Sequence, residues 1–123
     1  MDKQVVLVVD DIPENIDLLV GLLKDQYTVK AARSGELALK IAQSPNPPSL
    51  VLLDIVMPGM DGFTVCRALK GNPVTSRIPV IFLSGEVGAE ERKKGNDLGA
   101  AGYLTKPVDP ADLNAAIRSA LMG

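Results

Sequence analysis

Three short stretches of this chain are apolar without interruption: Val5-Val6-Leu7-Val8-Val9, Leu50-Val51-Leu52-Leu53 and Val80-Ile81-Phe82-Leu83. Runs this short and this aliphatic, two of them led by β-branched residues, fit strands covered on both faces rather than helices. Between them the period changes. Pro13 suits the first turn of a helix, and Ile16, Leu19, Val20 and Leu23 recur at i, i+3, i+4 and i+7 to give one apolar stripe. Tyr27 to Ala32 alternates as a second strand, and Ser34 can cap a helix that turns Leu37 and Ile41 inward. Ser44-Pro45-Asn46-Pro47-Pro48 is a connection that no helix crosses. A third helix is expected from about Gly62 to Leu69. The stretch from Val87 to Leu98 has helical spacing, but it is polar almost all round and contains Gly95, so it is weakly anchored. A short strand near Gly102-Tyr103-Leu104 precedes a last helix with Leu113, Ala116, Ile117, Ala120 and Leu121 on one face. Five strand–helix units in succession imply a parallel sheet with helices on both sides and right-handed crossovers. No repeat, linker or low-complexity tract divides the 123 residues, so residues 1–123 read as one α/β domain.

Composition limits the chemistry. The chain has no histidine, which excludes Ser-His-Asp and Cys-His catalysis and histidine-ligated metal. Its single cysteine, Cys66, excludes an internal disulfide and reads as a small buried apolar residue. With 13 Lys+Arg against 15 Asp+Glu, no Trp and 3% aromatic residues, it lacks both the basic stripe and the stacking platforms needed to grip nucleic acid. Its longest apolar runs are too short for a signal peptide or a membrane span, and a cytoplasmic location is expected.

Ligands of open parallel sheets bind at the carboxyl ends of the strands. The first strand ends at Asp10 and Asp11, the third at Asp54, the fourth at Ser84 and the fifth near Lys106. Each has an ordinary explanation in isolation, an acid before a helix being a common cap. Those explanations do not account for all five converging on one edge. Two carboxylates about 4 Å apart repel by about 1 kcal/mol in water and about 4 kcal/mol at an effective dielectric of 20, so such a cluster is tolerable around a cation. Oxygen ligands without His or Cys suit Mg²⁺ or Mn²⁺. Asp54 can then be the nucleophile toward a phosphoryl group, with Lys106 and Ser84 meeting the phosphoryl oxygens.

At this point the sequence resembles a response-regulator receiver domain of two-component signalling over nearly its whole length. The resemblance rests on Asp10-Asp11 after the first apolar run, Asp54 followed by Met57-Pro58 and Asp61-Gly62, then Ser84-Gly85, Tyr103 and Lys106-Pro107. It implies a flavodoxin-like (βα)5 fold, a doubly wound five-stranded parallel sheet in the order 2-1-3-4-5 with helices on both faces. It further implies that Asp54 is the phosphoacceptor, Asp11 a direct metal ligand, Asp10 a holder of metal-bound water, and the Val56 carbonyl the third protein ligand. Lys106 would contact the phosphoryl group and its peptide bond to Pro107 would be cis. Ser84 would swing toward the phosphoryl group and Tyr103 would turn inward behind it. Val56 and Glu86 resemble positions that tune dephosphorylation, and an apolar Val56 suggests a long-lived phosphoryl group.

The implied function is a signalling switch rather than a turnover enzyme. A sensor histidine kinase or histidine phosphotransfer protein would donate the phosphoryl group. The face made by the fourth helix, fifth strand and fifth helix would then control an output domain or downstream partner, as a monomer or a phosphorylation-dependent dimer. The last helix carries only Arg118, unlike receivers joined to winged-helix DNA binders, while Asp-Asp-Ile-Pro-Glu-Asn-Ile resembles receivers joined to enzymes or hybrid kinases. Two alternatives remain: a pseudo-receiver that binds partners without phosphorylation, and a small Mg²⁺-dependent phosphohydrolase. Against the first, every acid and the lysine are present. Against the second, the acids are adjacent rather than in an Asp-x-Asp pattern, and no segment is left for a substrate cap.

Overall fold

A computed structural model describes residues 3–85 and 88–122. Strands and helices alternate strictly: β1 (Val5–Val9), α1 (Pro13–Leu23), β2 (Thr28–Ala32), α2 (Gly35–Ala42), β3 (Leu50–Asp54), α3 (Gly62–Lys70), β4 (Val80–Ser84), α4 (Ala89–Asp97), β5 (Gly102–Thr105) and α5 (Pro110–Met122). The strands form one parallel sheet in the order β2-β1-β3-β4-β5, the doubly wound order that the resemblance implied.

The unbroken apolar runs are unbroken because both sides of each strand are covered. Leu7, Val9, Val51, Leu53 and Phe82 face one layer, where Ala38 and Ala42 of α2 meet Phe63, Val65, Cys66 and Leu69 of α3. Val6, Val8, Leu50, Leu52, Ile81 and Leu83 face the other, against Ile16, Leu19 and Leu23 of α1 and Leu113 and Ile117 of α5. This odd–even division follows from the period-two alternation of strand side chains. Cys66 is fully buried, and burial pushes the thiol up from its ordinary value against a smaller pull from Lys70, so it is an inert part of the core.

Local signals set most boundaries. Pro13 occupies the first turn of α1, and the Ser34 hydroxyl accepts the Leu37 N–H at 3.2 Å to cap α2. One expected inward residue was wrong. Ile41 packs half-buried against the core as expected, but Leu37 is 42% exposed, and the fully buried positions of α2 are Gly35, Ala38 and Ala42. The reason is close approach: a Cβ on Gly35 would meet Val65 Cγ2 at 2.7 Å and Met60 Sδ at 2.8 Å. The helix packs closest through its smallest residues, with Leu39 and Ile41 beside them and Leu37 turned out. Among the described residues no helix is long and apolar enough to cross a membrane.

Candidate functional site

Parallel pairing brings the carboxyl ends of the strands to one edge. Val9 lies opposite Leu53, Asp54 opposite Leu83, and Ser84 opposite Thr105, so the residues that follow β1 and β5 flank the last residues of β3 and β4. Asp10, Asp54 and Ser84 are buried there, and Asp11 is half-buried. Lys106 reaches in from the end of β5, across a Lys106–Pro107 peptide that is cis. Its Nζ donates to Asp10 Oδ2 at 2.9 Å and to Asp54 Oδ1 at 3.2 Å. Asp10 is held from two further directions: the Ile12 N–H donates to Oδ1 at 3.0 Å and Asn15 Nδ2 to Oδ2 at 3.2 Å.

Carboxylate oxygens of Asp10, Asp11 and Asp54, one from each, lie within 4.8 Å of one another. Three hard oxygen donors that converge without nitrogen or sulfur fit a divalent cation of the Mg²⁺ kind. The electrostatics agree. Burial pushes the Asp54 carboxyl above its ordinary value; Lys106 pulls it back in part, and Asp10 and Asp11 push it up further. Burial acts to lower the Lys106 ammonium, but hydrogen bonding and charge from Asp10 and Asp54 outweigh it and raise it. The two shifts are compatible, since Lys106 gains from two anions while Asp54 shares one cation and faces two like charges.

The remaining expected residues lie around this centre. Val56, two residues past Asp54, is 76% exposed and lines a cavity with Ile55, Phe63, Ser84 and Gly85. Tyr103 is half-buried on β5; its hydroxyl donates to the Glu91 carbonyl of α4 at 2.7 Å and its ring packs on Phe82 at 5.4 Å between centroids. Glu86 lies outside the described residues.

Two contributors escaped the sequence reading as parts of the site. Asn15 reaches back from the first turn of α1, a geometry that a polar side chain at the third helical position offers. Gly62 allows α3 to begin against the strand it follows. A Cβ there would collide with the Asp54 carbonyl oxygen and lie 2.8 Å from Ile55 Cα, and the Gly62 N–H donates to the Ile55 carbonyl at 2.8 Å. Asp61 caps the same helix by accepting the Thr64 N–H at 2.8 Å.

Doubly wound sheets bind their ligands at the carboxyl edge, which is where these acids and the ammonium meet. The family of the chain is shown by comparison: residues 6–118 match the sequence profile of the response regulator receiver domain. The chain is 46% identical over 115 residues to the response regulator PleD of Caulobacter vibrioides, covering 93% of this chain and 25% of PleD. It is 38% identical over 119 residues to Protein PilH of Pseudomonas aeruginosa, covering 96% and 98%. The signal receiver domain of a signal transduction histidine kinase from Syntrophus aciditrophicus superimposes with a TM-score of 0.87 at 31% identity, covering 98% of this chain and 91% of that one. The chain thus belongs to the response regulator receiver domain family. It spans about a quarter of the length of PleD and nearly all of PilH. Members are signalling domains of two-component systems, generally activated by phosphorylation through histidine kinases or phosphotransfer proteins, and are not typical enzymes.

Proposed function

We propose that this chain is a phosphorylation switch whose acceptor is Asp54. The observation that carries the reading is the Lys106 ammonium bridging Asp10 and Asp54 beside a third carboxylate, Asp11. Asp10, Asp11, Asp54 and the Val56 carbonyl would hold Mg²⁺, with Mn²⁺ as a substitute. When bound, that cation supplies positive charge against the phosphoryl oxygens. The donor is a phosphohistidine on a sensor kinase or phosphotransfer protein, since this chain has no histidine of its own. An Asp54 oxygen attacks phosphorus, and the new O–P bond forms as the donor's N–P bond breaks. The imidazole leaves with the bonding pair and gains its proton from solvent.

Lys106 then meets one phosphoryl oxygen and the Ser84 hydroxyl another. Movement of Ser84 is passed to Tyr103, which ties β5 to α4 through Glu91. The α4-β5-α5 face thereby changes toward an output domain or a downstream partner. The apolar, exposed Val56 side chain offers no polar group to orient a hydrolytic water, which favours a long-lived phosphoryl group.

The test is intact-mass measurement after incubation with Mg²⁺ and a small phosphodonor such as acetyl phosphate. One added phosphoryl group, absent in Asp54→Asn, is the expected result. No adduct on the parent chain would favour the pseudo-receiver, and steady turnover of varied phosphate esters the phosphohydrolase.

A further inference from the structure

We propose that Asn15 is a positioning residue which holds the Asp10 carboxylate in place while Lys106 transfers its hydrogen bond from Asp10 to the phosphoryl group. The inference deepens the phosphoacceptor reading and rests on it.

The starting point is an imbalance at Asp10. Its Oδ1 is fixed by a backbone donor, the Ile12 N–H, which cannot leave. Its Oδ2 has two side-chain donors, Lys106 Nζ at 2.9 Å and Asn15 Nδ2 at 3.2 Å. Of these, Lys106 is the one with a second task, since it also donates to Asp54 Oδ1. A phosphoryl group on Asp54 brings more anionic oxygen to the ammonium than the carboxylate it replaces, so Lys106 is drawn toward it. Asp10 is only 1% exposed, and a buried carboxylate oxygen that loses its donor is strongly penalised. The Asn15 amide keeps Oδ2 bonded throughout that exchange.

The location of Asn15 suits the task. It sits in the first turn of α1, anchored by buried Ile16 and Leu19, so its reach toward Asp10 is set by a packed helix. It also lines a cavity of about 300 Å³ with Leu18, Leu19, Leu83, Lys106 and Pro107. Lys106 borders the same space, so both side-chain donors to Oδ2 reach Asp10 from one side. Asn15 is thus a stationary donor next to a mobile one on the same acceptor atom.

The test compares two affinities by titration calorimetry in the parent protein, in Asn15→Leu, which keeps the branching at Cγ without a donor, and in Asn15→Ala, which favours helix. The first titrant is Mg²⁺ alone; the second is beryllofluoride, a tetrahedral phosphoryl mimic, at saturating Mg²⁺. With Lys106 still on Asp10, the loss of Mg²⁺ affinity is the smaller of the two. Beryllofluoride, which requires Lys106 to let go, binds about tenfold more weakly in both variants. Unchanged beryllofluoride affinity would overturn the proposal. So would an equal loss for both titrants, the pattern of a merely structural residue. Failure of the parent itself to take up beryllofluoride sinks the phosphoacceptor reading instead, and the role of Asn15 with it.

Discussion

At the scale of single residues, position matters more than charge type. Asp54 and Asp61 lie seven residues apart, and their carboxyls move in opposite directions. Asp54 is raised, first by burial and then by two like charges that Lys106 only partly offsets. At Asp61 burial also acts upward, but the Thr64 amide and hydroxyl, with Lys94 and Arg67, hold the carboxyl below its ordinary value. A lowered folded-state value means that ionised Asp61 stabilises the fold. That contribution is complete above the ordinary carboxylate range and is lost as pH falls through the lowered value. Replacing this helix cap, Asp61→Ala, is expected to cost about 1 kcal/mol in urea unfolding at pH 7. Against the parent, the difference should narrow in acid; a gap that stays constant down to the lowest workable pH would show that the ionised cap contributes nothing.

At the scale of elements, the helices are secured unequally. Among the described residues of α4 only Gly95 is buried, and it lies against the Tyr103 and Phe82 rings. A Cβ there would meet Tyr103 Cε2 at 2.5 Å and Phe82 at 3.2 Å. Gly95→Ala gains about 1 kcal/mol of helix propensity, while overpacking an aromatic contact costs about 1–3 kcal/mol. The expected outcome is a lower melting temperature together with shifted Tyr103 ring resonances; a more stable variant with an unmoved ring would contradict it. The elements also show what the sequence made legible. Unbroken apolar runs marked β1, β3 and β4 because strands buried twice leave no alternation to misread. Asp10, Asp11, Asp54, Ser84 and Lys106 were visible as polar breaks at strand ends. The inward face of α2 was read correctly at Ile41 but not at Leu37, because its closest contacts are made by Gly35, Ala38 and Ala42, and small residues carry little hydrophobic signal. Asn15 and Gly62 were not legible as site residues: one acts through a reach-back hydrogen bond and the other through room for a carbonyl, and both depend on how α1 and α3 meet the sheet.

At the scale of the whole molecule, a buried centre carries a lightly attached flank. Leu50–Asp54 is buried along its full length between β1 and β4, whereas α4 presents charged side chains nearly all round. Opening free energies should follow that gradient. Amide hydrogen exchange is expected to be slowest in β3 and faster by orders of magnitude in Ala89–Asp97; comparable protection in the two would refute the gradient. One ion pair reaches beyond this. Lys106 and Asp10 are 96 positions apart, so the bond between them closes almost the entire chain. The pairing that sets the charge beside Asp54 is therefore among the last-connected in sequence, and it exists only once the first and fifth strands lie in one sheet.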